Sequence, residues 1–222
     1  MNIGTAYLKF LEKVNKNYTN DNISVDVGRF VSLFNAKQIR YLEYVLEKRN
    51  EDDIRYVQKM LVKDRVLSFA GNVVNHYDFE LPTDYFAFVN VQAKAGSGAC
   101  TSKYINLWEV KNENIHELLQ DEYNKPSFKW RETFYSFSSD RITIYVDSFS
   151  ISEVYLSYYR YPRAVDMSGY IKENGDYSTD MDPEWDDKIV ERIIEFCVAD
   201  FDLNTENLQR YQFDNAKKIS KF

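Results

Sequence analysis

The chain has 222 residues, with 28 Lys plus Arg against 35 Asp plus Glu, a formal net charge of -7, 44% hydrophobic residues and only 7 Gly and 4 Pro. This balance excludes collagen-like, linker-rich and low-complexity chains, and the length suffices to bury roughly 70% of the unfolded surface. The acidity also argues against a protein that grips nucleic acid, because phosphate neutralisation needs a clustered Lys/Arg surface.

From Gly4 to Arg65 the pattern reads as helical, with Tyr7, Leu8, Leu11 and Val14 on one stripe and Val27, Phe30, Val31, Phe34, Tyr41, Leu42, Val45 and Leu46 on another. Asn20 to Ser24 separates the two, and a third helix runs from Asp52 or Asp53 through Ile54, Val57 and Leu61, with Asn50 at the join. From Val66 the period turns toward two. Leu81-Pro82-Thr83-Asp84 enters a strand that puts Tyr85, Ala87, Val89, Val91 and Ala93 on one face, and Gly96-Ser97-Gly98 ends it. Asn112 caps a short helix near 112–120. Ile142, Ile144 and Val146, then Val154, Leu156 and Tyr158, alternate with polar or aromatic partners and predict an antiparallel hairpin with one buried face. Pro162 stops it and residues Ser168 to Thr179 form a polar surface loop. Asp182 as N-cap and Pro183 at the first helical position then start a helix whose apolar face carries Ile189, Val190, Ile193, Ile194, Cys197, Val198 and Phe201. A second helical piece follows from Thr205. The fold class is α+β, a helical scaffold from the N- and C-terminal helices with an inserted antiparallel β-sheet or sandwich, divided as 1–65, 66–165 and 166–222.

Tests for catalysis return little. Ala95-Gly96-Ser97-Gly98-Ala99 lacks the spacing of a nucleophile elbow, there is no phosphate-binding G-x-x-x-x-G-K-[ST] loop, and two histidines, His76 and His116, are too few for a histidine metal cluster. Cys100 and Cys197 are too few for a disulfide scaffold, and no thiol-enzyme motif surrounds Cys100. The reading calls for no catalytic residue, no cofactor and no metal. The stretch Ala6 to Val14 is interrupted by Lys9, Glu12 and Lys13, and no run of about 18 apolar residues exists, so neither a signal peptide nor a membrane partner is expected.

Two features stand out. Asp176, Asp180, Asp182, Glu184, Asp186 and Asp187 form the densest group of carboxylates; they are expected to cap a helix and give a solvated acidic face, and Asp180, Asp182, Glu184, Asp186 and Asp187 are candidates for a lumen or partner surface. The spacing fits no EF-hand. The 18 Tyr, 15 Phe and 3 Trp are the other feature: Tyr158, Tyr159, Arg160 and Tyr161, with Trp185, are candidate interface residues, since aromatics fall on both faces of one strand. Stacked sugars also use Tyr and Trp, which keeps a carbohydrate-binding or host-attachment module as the alternative.

The order of Leu81-Pro82-Thr83-Asp84-Tyr85-Phe86, the segment Asn124 to Tyr135 that includes Pro126, Trp130 and Arg131, Leu156-Ser157-Tyr158-Tyr159-Arg160-Tyr161-Pro162 and Asp182-Pro183-Glu184-Trp185-Asp186-Asp187 resembles ring, or head-to-tail connector, proteins of crAss-like tailed bacteriophages. The resemblance runs from Gly4 to about Asp200. It implies a structural virion protein at the portal-tail vertex, assembled in the host cytoplasm as a homo-oligomeric ring of twelve copies. Its partners would be further copies, the portal protein and neighbouring ring and tail proteins, and DNA would pass through the lumen without specific binding.

Overall fold

In a computed structural model, residues 1–15, 24–48, 51–98, 102–172 and 174–204 are described. The break beginning at Asn20, the join at Asn50, Cys100, and the helical piece from Thr205 with its cations Arg210, Lys217, Lys218 and Lys221 lie outside them. The architecture is mixed: the described residues form five α-helices and one curled, eight-stranded sheet. The chain divides into a helical unit, residues 1–59 and 162 onward, and a β unit, Met60–Tyr161.

In the helical unit, α1 (Ile3–Asn15) buries Ile3, Ala6, Phe10 and Val14, while α2 (Val27–Lys48) buries Phe30, Val31, Phe34, Tyr41, Leu42 and Val45. Leu8, expected on the buried stripe of α1, is exposed instead, because the stripe runs through Ala6 and Phe10. Helix α3 (Glu51–Val57) ends in a short 3₁₀ turn, and α5 (Asp187–Asn204) packs on both α1 and α2. The apolar face read for this last helix is buried throughout, from Ile189 to Phe201. Its aromatic seam is continuous: the Phe10 ring lies 5.2 Å from Phe30 and 5.9 Å, edge-on, from Phe201. Lys9 and Lys13, one turn apart on α1, pair with Glu191 and Glu195, one turn apart on α5.

The β unit is built from β1 (Leu61–Val66), β2 (Ser68–Val73), β3 (His76–Glu80), β4 (Tyr85–Gly96), β5 (Lys103–Glu109), β6 (Glu132–Ser138), β7 (Arg141–Tyr145) and β8 (Ser150–Arg160). Their spatial order is β1-β8-β4-β5-β6-β7-β3-β2. The two edge strands are neighbours in sequence, separated by Leu67 alone, so the sheet curls round until its edges share one bent stretch of chain. Leu67 itself is buried and donates its N–H to the Val154 carbonyl at 2.9 Å. The concave face is filled by Val91, Ala93, Ile105, Tyr135, Ile142, Ile144, Val154, Leu156 and Tyr158 among others.

Four expectations are corrected here. Helical character stops at Met60, and Leu61 to Arg65 belongs to β1, where Val62, Leu61 and Val66 pair with β8. β7 and β8 do not form a hairpin: β7 pairs with β3 and β6, and β8 with β1 and β4. Alternation fixes which face of each strand is buried, and both bury the same concave core, but alternation carries no information on the neighbour. The sheet is not wholly antiparallel, because β5 and β6 run parallel. The crossover between them carries the expected short helix, a 3₁₀ turn at Asn112–Asn114 followed by α4 (Ile115–Gln120), which is what a parallel connection requires. Within β4, register shifts between Tyr85 and Ala87 and between Phe88 and Asn90 break the simple alternation. Phe88 packs on the core and Val89 faces out, the reverse of the two-residue period.

Candidate functional site

The acidic segment is built into the helical unit. Asn2 caps α1 by accepting the Thr5 N–H at 2.7 Å, and Asp182 accepts the Ile3 N–H at 2.8 Å, so Asp182 serves the start of α1 and not that of α5. Helix α5 starts at Asp187, four residues later than the sequence suggests, with the Asp186 carbonyl accepting the N–H groups of Ile189 and Val190. The Met1 ammonium pairs with Asp187, Lys59 with Asp186, and Arg163 with Glu184. Asp180 accepts the Ser168 N–H at 2.7 Å. The Met1 ammonium holds the Asp187 carboxyl below its ordinary range, and the Ser168 N–H does the same for Asp180. Each of the five carboxylates has a structural partner. Asp180, Asp182, Asp186 and Asp187 nevertheless stay at the surface.

Trp185 differs from the uncovered aromatic that the sequence suggested. It is 3% exposed, donates its indole N–H to Gln38 Oε1 at 3.2 Å and meets the Tyr41 ring edge-on at 5.7 Å. Gln38 passes the chain of bonds on, donating to Asn35 Oδ1 and to the Arg163 carbonyl, and Asn35 clamps Val165 in both directions, at 3.0 and 2.8 Å. Asn35 and Gln38, one turn apart on α2, therefore tie the incoming segment 163–165 to the helix. Sequence reading passed over them because a polar residue inside an apolar stripe looks like a gap in the pattern.

The loop after this clamp is also more ordered than a solvated turn. Asp166 is buried, and its carboxylate accepts from Lys172 at 2.7 Å, the Tyr170 hydroxyl at 2.9 Å and the backbone N–H groups of Met167 and Thr179. Burial alone would raise its pKa, but these donors outweigh it and bring the carboxyl down to about 2. Ser178 bonds Tyr170 twice, and Gly28 at the start of α2 leaves room for the Tyr170 ring, which a Cβ would meet at 3.0 Å. A groove of about 540 Å³ lies here, lined by Gly28, Val31, Ser32, Tyr170, Ile171 and Lys172.

In the β unit, Tyr158, Tyr159, Arg160 and Tyr161 end β8, with Tyr158 fully buried and Tyr161 exposed. The Tyr158 hydroxyl donates to Asp84 at 2.8 Å and accepts from Arg65 at 2.8 Å; burial and then the Asp84 bond raise its pKa. Tyr161 donates its N–H to the Asp84 carbonyl and packs edge-on against Phe86 at 4.8 Å. The Leu81-Pro82-Thr83-Asp84 turn and the Tyr-Tyr-Arg-Tyr strand end are thus one joint, while Trp185 belongs to the other unit. A second groove, of about 400 Å³, opens beside Leu81, Pro82, Tyr85 and Ser139. Among the described residues no group of three or more His, Cys, Asp or Glu side chains is placed to hold a metal ion, and no helix is long and apolar enough to cross a membrane. His76 lies 3.9 Å from Asp78, whose other oxygen accepts from Thr143. Cys197 is fully buried in the apolar face of α5.

Large apolar side chains outside the core are the feature that motif reading missed. On the β unit they include Phe69, Val73 and Val74 of the β2–β3 hairpin, and Tyr123 and Trp130 in the crossover; on the helical unit, Leu8, Ile171 and Tyr177. No protein-family model matches the sequence, and none of the curated proteins matches it.

Proposed function

We propose that this chain is a structural virion protein, one protomer of a twelve-copy connector ring between the portal and tail of a tailed bacteriophage, helping to form the channel through which DNA leaves. The observation that carries this reading is the set of large apolar side chains left uncovered on each unit, Leu8, Ile171 and Tyr177 on one and Phe69, Val74, Tyr123 and Trp130 on the other. Large apolar side chains kept at the surface suit a protomer enclosed by copies and neighbours, whose contacts would bury them. The net charge of -7 suits a channel that does not hold DNA back. In this reading the overall charge does that work more than the 180–187 segment does, since Met1, Lys59 and Arg163 neutralise three of its carboxylates.

Three of the four segments that carry the resemblance act as joints. Leu81 to Asp84 meets the end of β8, and Asp182 to Asp187 ties the first residues of α1 to the start of α5. Segments of this kind set the shape of a protomer, which is what a ring subunit contributes; the further copies, the portal and the neighbouring ring and tail proteins are its partners.

The test is the mass of the purified chain by light scattering behind a sizing column, alone and mixed with portal rings. Binding at a fixed ratio near one copy per portal subunit is the expected result. A chain that ignores the portal and leaves it unchanged overturns this assignment.

A further inference from the structure

We infer that the β2–β3 hairpin of one copy docks on the crossover segment 123–131 of the next copy, an inference that rests on the ring reading above and names its contact. The two edges of the sheet are unlike. β1 carries Lys63 and Arg65, with Asp64 between them in the left-handed region at φ 51° and the register with β8 shifting between Val62 and Arg65. A register shift also occurs in β2, between Phe69 and Gly71, so what sets β1 apart is its charges, which keep an edge strand from pairing with another chain. β2, the opposite edge, has neither Lys nor Pro nor any charge, and its sequence Ser-Phe-Ala-Gly-Asn-Val is exposed nearly throughout. Phe69 is 58% exposed, and Val74 at the turn is 90% exposed.

The hairpin has one sign of charge. From Ser68 to Glu80 the only ionised groups are Asp78 and Glu80, so its occupant should be apolar with a basic rim. The same unit presents that chemistry elsewhere: Lys129 and Arg131 flank Trp130, while Lys125 is paired with Asp147 and Asp121 accepts from Tyr123 and Asn124 at the start of the segment. Tyr123 is 95% and Trp130 69% exposed, and the Lys129 ammonium lies 5.3 Å from the centre of the Trp130 ring. Two different surfaces of one chain that complement each other in charge and apolar character make a heterologous contact, which repeats from copy to copy and closes into a ring when the rotation allows. Both surfaces are small, so each contact is weak alone, and the assembly forms at high concentration or on a preceding ring.

The experiment uses the full chain, on portal rings and alone at rising concentration, followed by light scattering, with circular dichroism confirming that each variant is folded. Val74→Lys puts a cation on the tip that faces a basic surface, and Lys129→Glu puts a carboxylate on the surface that faces an acidic hairpin. Each variant alone should associate about tenfold or more weakly than the unaltered chain, because like charges are brought together. An equimolar mixture of the two should recover association, since every contact then joins either two altered surfaces or two unaltered ones. Folded variants that assemble as well as the unaltered chain, or a mixture that does no better than its components, overturn the docking while ring formation by the unaltered chain stands. An unaltered chain that neither self-associates nor binds portal rings overturns the ring reading itself, and the docking with it.

Discussion

The helical unit and the β unit dispose of their polar and apolar side chains in opposite ways. In the helical unit polar groups act as fasteners: Asn35, Gln38 and Trp185 form an inward chain of hydrogen bonds, Asp166 gathers four donors, and from the surface Asp182 and Asp187 hold the first residues of α1. In the β unit the buried contacts are mostly apolar and aromatic on the concave face, while Phe69, Val74, Tyr123 and Trp130 remain outside. The contrast between Trp185, closed inside a knot, and Trp130, open beside a lysine, shows that an aromatic count says little about function until burial is known. Polar contacts hold the first unit together, whereas in the second a largely apolar concave core does so.

That difference can be broken most sharply at Trp185. Trp185→Ala removes a buried ring and leaves Gln38 without its donor, and should cost the helical unit about 3–5 kcal/mol in denaturant unfolding. A loss under about 1 kcal/mol would mean that the polar knot does not hold this unit together. A smaller effect is expected at Asp166. Its folded pKa, about 2, lies below the ordinary value near 3.9, so its contribution is complete above that ordinary value and is lost as pH falls through about 2. Asp166→Asn should therefore cost about 1–2 kcal/mol at pH 7 and flatten the decline in stability between pH 4 and 2. An unchanged acid profile would remove Asp166 from that role. The smallest effect belongs to the β unit, where Tyr158→Phe deletes one hydroxyl from the Arg65–Asp84 joint and should cost about 1 kcal/mol, read from the same unfolding curves. A cost rivalling that of Trp185→Ala would erase the contrast, because the β unit too would then depend on a polar fastener.

What the sequence made legible follows the same line. Local periodicity placed α2 and α5, and the apolar faces from Phe30 to Val45 and from Ile189 to Phe201 are buried as read. It also found the buried positions Ile142, Ile144, Val154, Leu156 and Tyr158 on their strands. It could not find the partners of those strands, because pairing β8 with β4 and β1 joins residues about 54 to 98 apart in sequence, and nothing in a two-residue period encodes that choice. The cap at Asp182 misled for a similar reason: Asp-Pro ahead of an apolar run is a sound helix start, but the carboxylate found a more distant N–H, that of Ile3. The candidate interface was legible as a composition and not as a location. Tyr159, Arg160 and Tyr161 retain some exposure, whereas Tyr158 and Trp185 are enclosed, and no spacing rule separates the two outcomes.

The pairing of Leu61 with Tyr159 in the β1–β8 ladder sets the entry and exit of the β unit side by side. An element that begins and ends at almost the same point is a cassette: it can be lengthened, reshaped or exchanged without altering the distance its frame must span. Loops and side chains of the β unit can then change while the helices around Phe10, Phe30 and Phe201 keep their own packing.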